Sequence, residues 1–123
     1  GKIQKVYPVA TGKTKDLTPE GLFTFIVKEK NPYYIKLNIE GGAKHNPLGT
    51  RWLGFDAEET GRIYGVHGTN APWTIGHYVT AGCIRLKNED VEELYDQIPL
   101  GTKVLIVSSE KSFEQLAMEY GAM

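Results

Sequence analysis

Polar and apolar positions alternate in short stretches broken by glycine, proline and asparagine, the pattern of closely spaced β-strands. Ile3-Gln4-Lys5-Val6-Tyr7 alternates at period 2 before Gly12 and the turn-rich Lys13-Thr14-Lys15-Asp16. Thr18-Pro19-Glu20-Gly21 is a turn by chemistry, since proline presets one backbone angle and glycine accepts positive φ. Leu22-Phe23-Thr24-Phe25-Ile26-Val27 then carries the β-branched and aromatic bias of a sheet. After Asn31-Pro32 the alternation resumes, and Tyr33, Ile35, Leu37 and Ile39 are expected on one face of a further strand.

From Gly41 to Gly54 the chain is rich in Gly, Pro and Asn and reads as a shaped loop. Two readings stay open there. His45, Arg51 and Trp52 could line a cleft, or Pro47-Leu48-Gly49 sets a turn and Trp52 fills the core. Asp56 to Gly61 is a solvated acidic turn, and Arg62-Ile63-Tyr64-Gly65-Val66 is a short strand that delivers His67. One helix is clear: Asn88 can cap it, Glu89 and Asp90 suit its positive end, and Val91, Leu94, Tyr95 and Ile98 recur at i, i+3, i+4, i+7. Pro99 and Gly101 end it, and Thr102 to Val107 is apolar enough to be a central strand. Beyond Ser109, Phe113, Leu116, Ala117 and Tyr120 predict a C-terminal amphipathic helix.

The class is therefore mainly β, a sandwich or barrel with one helix after the cysteine-bearing strand and a second at the C-terminus. With 123 residues the chain fits one domain. Residues 1–107 read as its body and 108–123 as a helical extension packed on it. The sheet opens abruptly at Ile3, so an earlier strand of a longer precursor is expected. A net charge of −1 argues against nucleic acid as a partner, which needs a concentrated basic surface. No apolar run approaches the roughly 20 residues that span a bilayer. The start has no signal-peptide core, so any export signal lies upstream.

Candidate chemistry gathers around the single cysteine. Cys83 can attack a carbonyl once a base takes its proton, and His67, at the end of a strand, is the candidate base. Gly68 and Gly82 keep side chains away from both residues. The N–H groups of Gly82 and Cys83 could face a developing oxyanion, and the Gly68 carbonyl could hold the proton on the correct ring nitrogen of His67. Arg85, two residues beyond Cys83, would share its face on an extended strand and suits a substrate carboxylate or the thiolate. A surface salt bridge is the plainer role for it. Tyr64, Asn70, Trp73 and Thr80 are candidate substrate contacts. His77 sits in a segment that reads as a lid or wall, a weaker base candidate. His45, His67, His77 and Cys83 contain no C-x-x-C or H-x-x-x-H pair, so neither a metal nor a cofactor is expected.

His67-Gly68-Thr69-Asn70, Ile75-Gly76 and Thr80-Ala81-Gly82-Cys83-Ile84-Arg85-Leu86 together resemble the active-site signature of the L,D-transpeptidases, the YkuD-type catalytic domain of bacterial peptidoglycan enzymes. That signature is His-Gly-Thr, about fifteen residues, then Ser/Thr-x-Gly-Cys and an Arg or Asn. Thr11-Gly12-Lys13, Thr18-Pro19-Glu20-Gly21 with Phe23, Asn46-Pro47-Leu48-Gly49 and Gly101-Thr102-Lys103-Val104 look like further family motifs, extending the likeness over about residues 4 to 107.

The resemblance implies Cys83 as nucleophile, His67 as base, Gly68 as its orienting carbonyl and Arg85 as a stabiliser of site or substrate. It also implies peptidoglycan stem peptides as substrates, release of terminal D-alanine, and a 3→3 cross-link or hydrolysis. Carbapenems become possible inhibitors, and an extracytoplasmic site in the cell wall or periplasm is implied. Alternatives are a sortase-like cysteine transpeptidase, which lacks the His-Gly-Thr-Asn pattern, and a catalytically silent peptidoglycan-binding module. The chain departs from the family at Ala81, where many members carry His or Lys, and at the expected first strand.

Overall fold

The computed structural model describes residues 6–13 and 17–107. Its strands are β1 (Thr11–Gly12), β2 (Gly21–Lys30), β3 (Arg51–Phe55), β4 (Gly65–His67), β5 (Tyr78–Thr80), β6 (Ile84–Arg85) and β7 (Lys103–Ile106), with one helix, α1 (Asn88–Gln97), between the last two. Five of them form a sheet in the order β6-β4-β3-β2-β7. Only β4 and β6 run parallel within it, whereas β1 and β5 form a separate parallel pair. An antiparallel bridge with two 2.8 Å bonds joins Ala10 to Arg85 and ties that pair's side of the molecule to β6. The result is mostly β, a curled sheet with one helix.

The period-2 segment from Leu22 to Val27 is the heart of β2, the longest strand, which pairs with β3 on one side and β7 on the other. The core gathers where β2, β3 and β4 turn their apolar faces to α1: Phe25, Leu53, Phe55, Ala57, Val66, Leu86 and Val91 are buried together. Phe55 is fully buried, with Phe23 tilted over it at 5.3 Å and Phe25 edge-on at 6.2 Å. The helix spacing is realised, with Val91 buried and Leu94, Tyr95 and Ile98 packed on the core.

Several expectations are corrected. Residues 33–39 do not form a strand. They make a 3-10 turn at Ile35–Leu37, with Tyr34 bridged back to Ile39 and Asn38 in the left-handed region. Ile35 and Leu37 are 82% and 68% exposed, so the alternation that suggested a buried face has none to pack on. The loop expected to reach Gly54 ends earlier, because Arg51–Phe55 pairs on both edges as β3. The strand expected at 62–66 contracts to Gly65–His67. Among the described residues β7 lies at the edge of the sheet and is not central. The expected opening strand falls largely, and the C-terminal helix wholly, outside the described residues.

Asn88 does not cap the helix. Lys87 holds the N-cap position, and no side chain caps the first turn. The Asn88 carboxamide instead accepts hydrogen bonds from the backbone N–H groups of Thr69 (3.0 Å) and Thr50 (3.3 Å).

Candidate active site

Two parallel strands bring the distant motifs together. In β4 and β6 Val66 pairs with Ile84 and His67 with Arg85, and Leu86 N–H donates to His67 O at 2.9 Å. This register sets the end of the strand carrying His67 beside the residues that follow Cys83. His67, Cys83 and Arg85 line one open cleft of about 390 Å³, together with Tyr64, Thr80 and Ala81. Residues 33–36 and 47–48 and the Glu29–Arg62 ion pair complete its lining.

His67 is buried and held from three sides. Its Nδ1 lies 2.5 Å from Gly68 O. A carbonyl can only accept, so Nδ1 carries the proton and Nε2 keeps the lone pair. Trp52 stacks on the ring at 5.7 Å and 20°, and is itself held by a 2.9 Å bond from Nε1 to Gly61 O. Of the two sequence readings of Trp52 both hold: it is buried, and it lines the cleft as the platform under the imidazole. The segment after His67 is fixed by Gly68 N–H donating to Arg51 O (3.3 Å) and by the Asn88 carboxamide on Thr69 N–H. A β-carbon at Gly68 would collide with Asn88 Oδ1, so the close approach of that carboxamide requires glycine here.

The turn before Cys83 is equally specified. Thr80 is buried, and its hydroxyl donates to Cys83 O (2.7 Å) and accepts from Gly82 N–H (3.2 Å). Thr18 Oγ1 donates to Gly82 O at 2.9 Å. Gly82 has φ +137°, and a β-carbon there would stand 2.5 Å from Leu17 O and 2.8 Å from the Tyr64 ring, so only glycine fits. These contacts bear on two expectations. The Gly82 N–H is already bonded to Thr80 and is not a free oxyanion donor, and Thr80 spends its hydroxyl on the turn.

Burial dominates the electrostatics. It holds the His67 pKa down at about 4, against a smaller upward pull from the Gly68 carbonyl, with Arg85 adding a further downward push. Burial also pushes the Cys83 thiol up, partly offset by a hydrogen bond from the Gly65 backbone and by the positive charges of Lys36 and Arg85. The Arg85 guanidinium is pulled down by burial and supported by Cys83. Thiol and imidazole therefore rest as a neutral pair. Cys83 Sγ lies 3.5 Å from Ile63 O, a weak thiol contact.

Not every sequence candidate reaches the cleft. Asn70 is exposed, donates to His45 O at 3.2 Å and lines a smaller pocket of about 190 Å³ on the far side of the loop after His67. Trp73, 74% exposed on a 3-10 turn at Pro72–Thr74, and the exposed His45 and His77 are absent from the lining as well. Arg85 Nη1 donates to Thr74 Oγ1 at 3.0 Å, so the excursion between the motifs braces the arginine, and among the described residues no salt bridge does. Among the described residues no three His, Cys, Asp or Glu side chains converge as a metal site. Sequence reasoning missed Asn88, Thr18 and the wall at residues 33–36. Asn88 was hidden by its position, since an Asn before a helix reads first as a cap.

Comparison with known proteins bears on the family of the chain. A family model described as the YkuD L,D-transpeptidase catalytic domain matches residues 1–106. The putative L,D-transpeptidase YqjB of Bacillus subtilis (strain 168) is 57% identical over 123 residues, 99% of this chain and 70% of that protein. The solved L,D-transpeptidase from Mycobacterium smegmatis aligns with a TM-score of 0.64 at 25% identity, covering 88% of this chain and 51% of that one. L,D-transpeptidase 3 from Mycobacterium tuberculosis, solved in complex with a faropenem-derived adduct, aligns with a TM-score of 0.60 at 22% identity, covering 88% of this chain and 48% of that one. The chain thus spans about half the length of these solved structures. With the family model matching nearly its whole described length, and a close relative of the same name, the chain belongs to the YkuD family of L,D-transpeptidase catalytic domains.

Proposed function

We propose that residues 1–107 form a cysteine-dependent catalytic domain that acts on peptidoglycan stem peptides outside the cytoplasm. The observation that carries this reading is a single cleft lined by a cysteine and by a histidine whose Nδ1 proton is tied to the Gly68 carbonyl. Cys83 Sγ attacks the carbonyl of the third stem residue as His67 Nε2 takes the thiol proton. General-base transfer fits a thiol raised and an imidazole lowered by burial better than a standing thiolate–imidazolium pair.

The Cys83 N–H is the remaining oxyanion donor at the nucleophile, the Gly82 N–H being engaged. As the C–N bond breaks, His67 returns the proton to the departing D-alanine nitrogen and leaves a thioester on Cys83. The side-chain amine of another stem's third residue attacks that thioester, His67 accepts the amine's proton, and the sulfur leaves to recover it. The product is a 3→3 cross-link. Water in place of the amine gives trimming.

β-Lactams enter by the same attack on a strained carbonyl, and the faropenem-derived adduct on a solved relative supports this. Family membership favours this chemistry over a sortase-like one. The test is intact mass after incubation with a carbapenem. One adduct is expected on the folded wild type and none on Cys83→Ala or His67→Ala of unchanged melting temperature. An unmodified wild-type thiol would indicate a silent binding module and sink the proposal.

A further inference from the structure

The turn at Ile35–Leu37 leaves apolar side chains that the other described residues do not cover. Tyr33, Tyr34 and Ile35 border the cleft that holds Cys83, and Ile35 is 82% exposed. Lys36 stands among them in the 3-10 turn and lines the same cleft.

The charges lining the cleft do not balance. Among the described residues Glu29 is its only carboxylate, and it is paired with Arg62. Arg85 lies on the Cys83 side, tethered through one nitrogen to Thr74. Its Nε is buried without a partner. Among the described residues, Lys36 and Arg85 therefore line the cleft as two cations with no carboxylate of the lining left to pair them. An apolar, cationic cleft favours a ligand with a carboxylate close to the reacting carbonyl. In a peptide that loses its last residue, the terminal carboxylate lies only three bonds beyond the carbonyl carbon that the thiol attacks.

We propose that Lys36 is a specificity-determining residue that, with Arg85, reads the free terminal carboxylate of the acyl-donor peptide. The inference rests on the reading of Cys83 as the acylated nucleophile. Both cations also act on the Cys83 sulfur through space, which agrees with their facing the reacting centre. An arginine at position 36 would keep the charge, and a methionine would keep the apolar stem without it.

The experiment follows acylation of Cys83 by two otherwise identical tetrapeptide donors, one ending in a carboxylate and one in a carboxamide, in the wild type, Lys36→Met and Lys36→Arg. Intact mass and released terminal residue are the readouts. The wild type is expected to prefer the carboxylate donor. Lys36→Met is expected to shrink that preference about fivefold to tenfold, the scale of one charge pair in a half-open cleft, mostly through KM. Lys36→Arg is expected to restore it, and the wild-type preference is expected to weaken with added salt. An undiminished preference in Lys36→Met, or equal losses on both donors, overturns the inference. A wild type that acylates with neither donor nor a carbapenem overturns the reading beneath it instead.

Discussion

Replacing His67 by Gln removes a group whose titration is coupled to folding. In the unfolded chain the imidazole has its ordinary pKa of 6.5, and in the fold burial lowers it to about 4. The unfolded state therefore binds more protons across that window. Stability from the buried neutral ring is present above pH 6.5 and is lost as pH falls through about 4. Between pH 7 and pH 4.5 the loss amounts to about 2 kcal/mol. Urea denaturation of the wild type and His67→Gln at both pH values isolates the contribution of this ring. The stability difference between the two proteins should move by about 2 kcal/mol toward the variant at the lower pH. A difference that is flat with pH, or a His67 C2–H resonance titrating near 6.5, would refute the claim that burial dominates this site. The same shift keeps the base unprotonated in mild acid, so the acid limb of Cys83 acylation should lie near 4.

Two further substitutions test the scaffold around the site. Asn88→Leu strips the acceptor from the Thr69 and Thr50 N–H groups. It should cost about 2 kcal/mol in denaturant unfolding and slow carbapenem acylation, whereas Asn88→Asp keeps an acceptor for both donors and should recover most of each. Thr80→Val leaves the Gly82 N–H and Cys83 O without their hydroxyl partner. A loss of about 1–3 kcal/mol is expected, with Thr80→Ser close to wild type, both read by thermal unfolding.

Much of the site was legible because its spacing is itself chemical. His67 closes a strand and Cys83 follows a glycine, so the sequence already placed the proposed base and nucleophile beside strand ends. The function of Gly82 was harder to see. Its glycine character comes from φ +137° and the nearness of Leu17 O, and not from offering an oxyanion donor. Residues 33–39 show the limit of periodicity from the other side. Alternation says which side chains would share a face, but not whether anything will cover that face. Here only Ile39 is covered while Tyr33, Ile35 and Leu37 stay exposed, and the segment curls into a turn beside the cleft.

The sequence by itself determined the mainly β class and the amphipathic helix and singled out Cys83 and His67 as the proposed nucleophile and base, because these depend on local propensity and on the rarity of reactive side chains. The parallel register that sets His67 against Arg85 came only with the tertiary structure, since β4 and β6 are joined by an excursion whose course no local pattern encodes. The same is true of Asn88, drawn from a capping position onto the loop after His67, and of Lys36 in the cleft. Asn88 bonds to Thr69, 19 positions away in sequence, and Lys36 lines the same cleft as Arg85, 49 positions away. Such contacts exist only once the sheet has curled and the helix has packed on it.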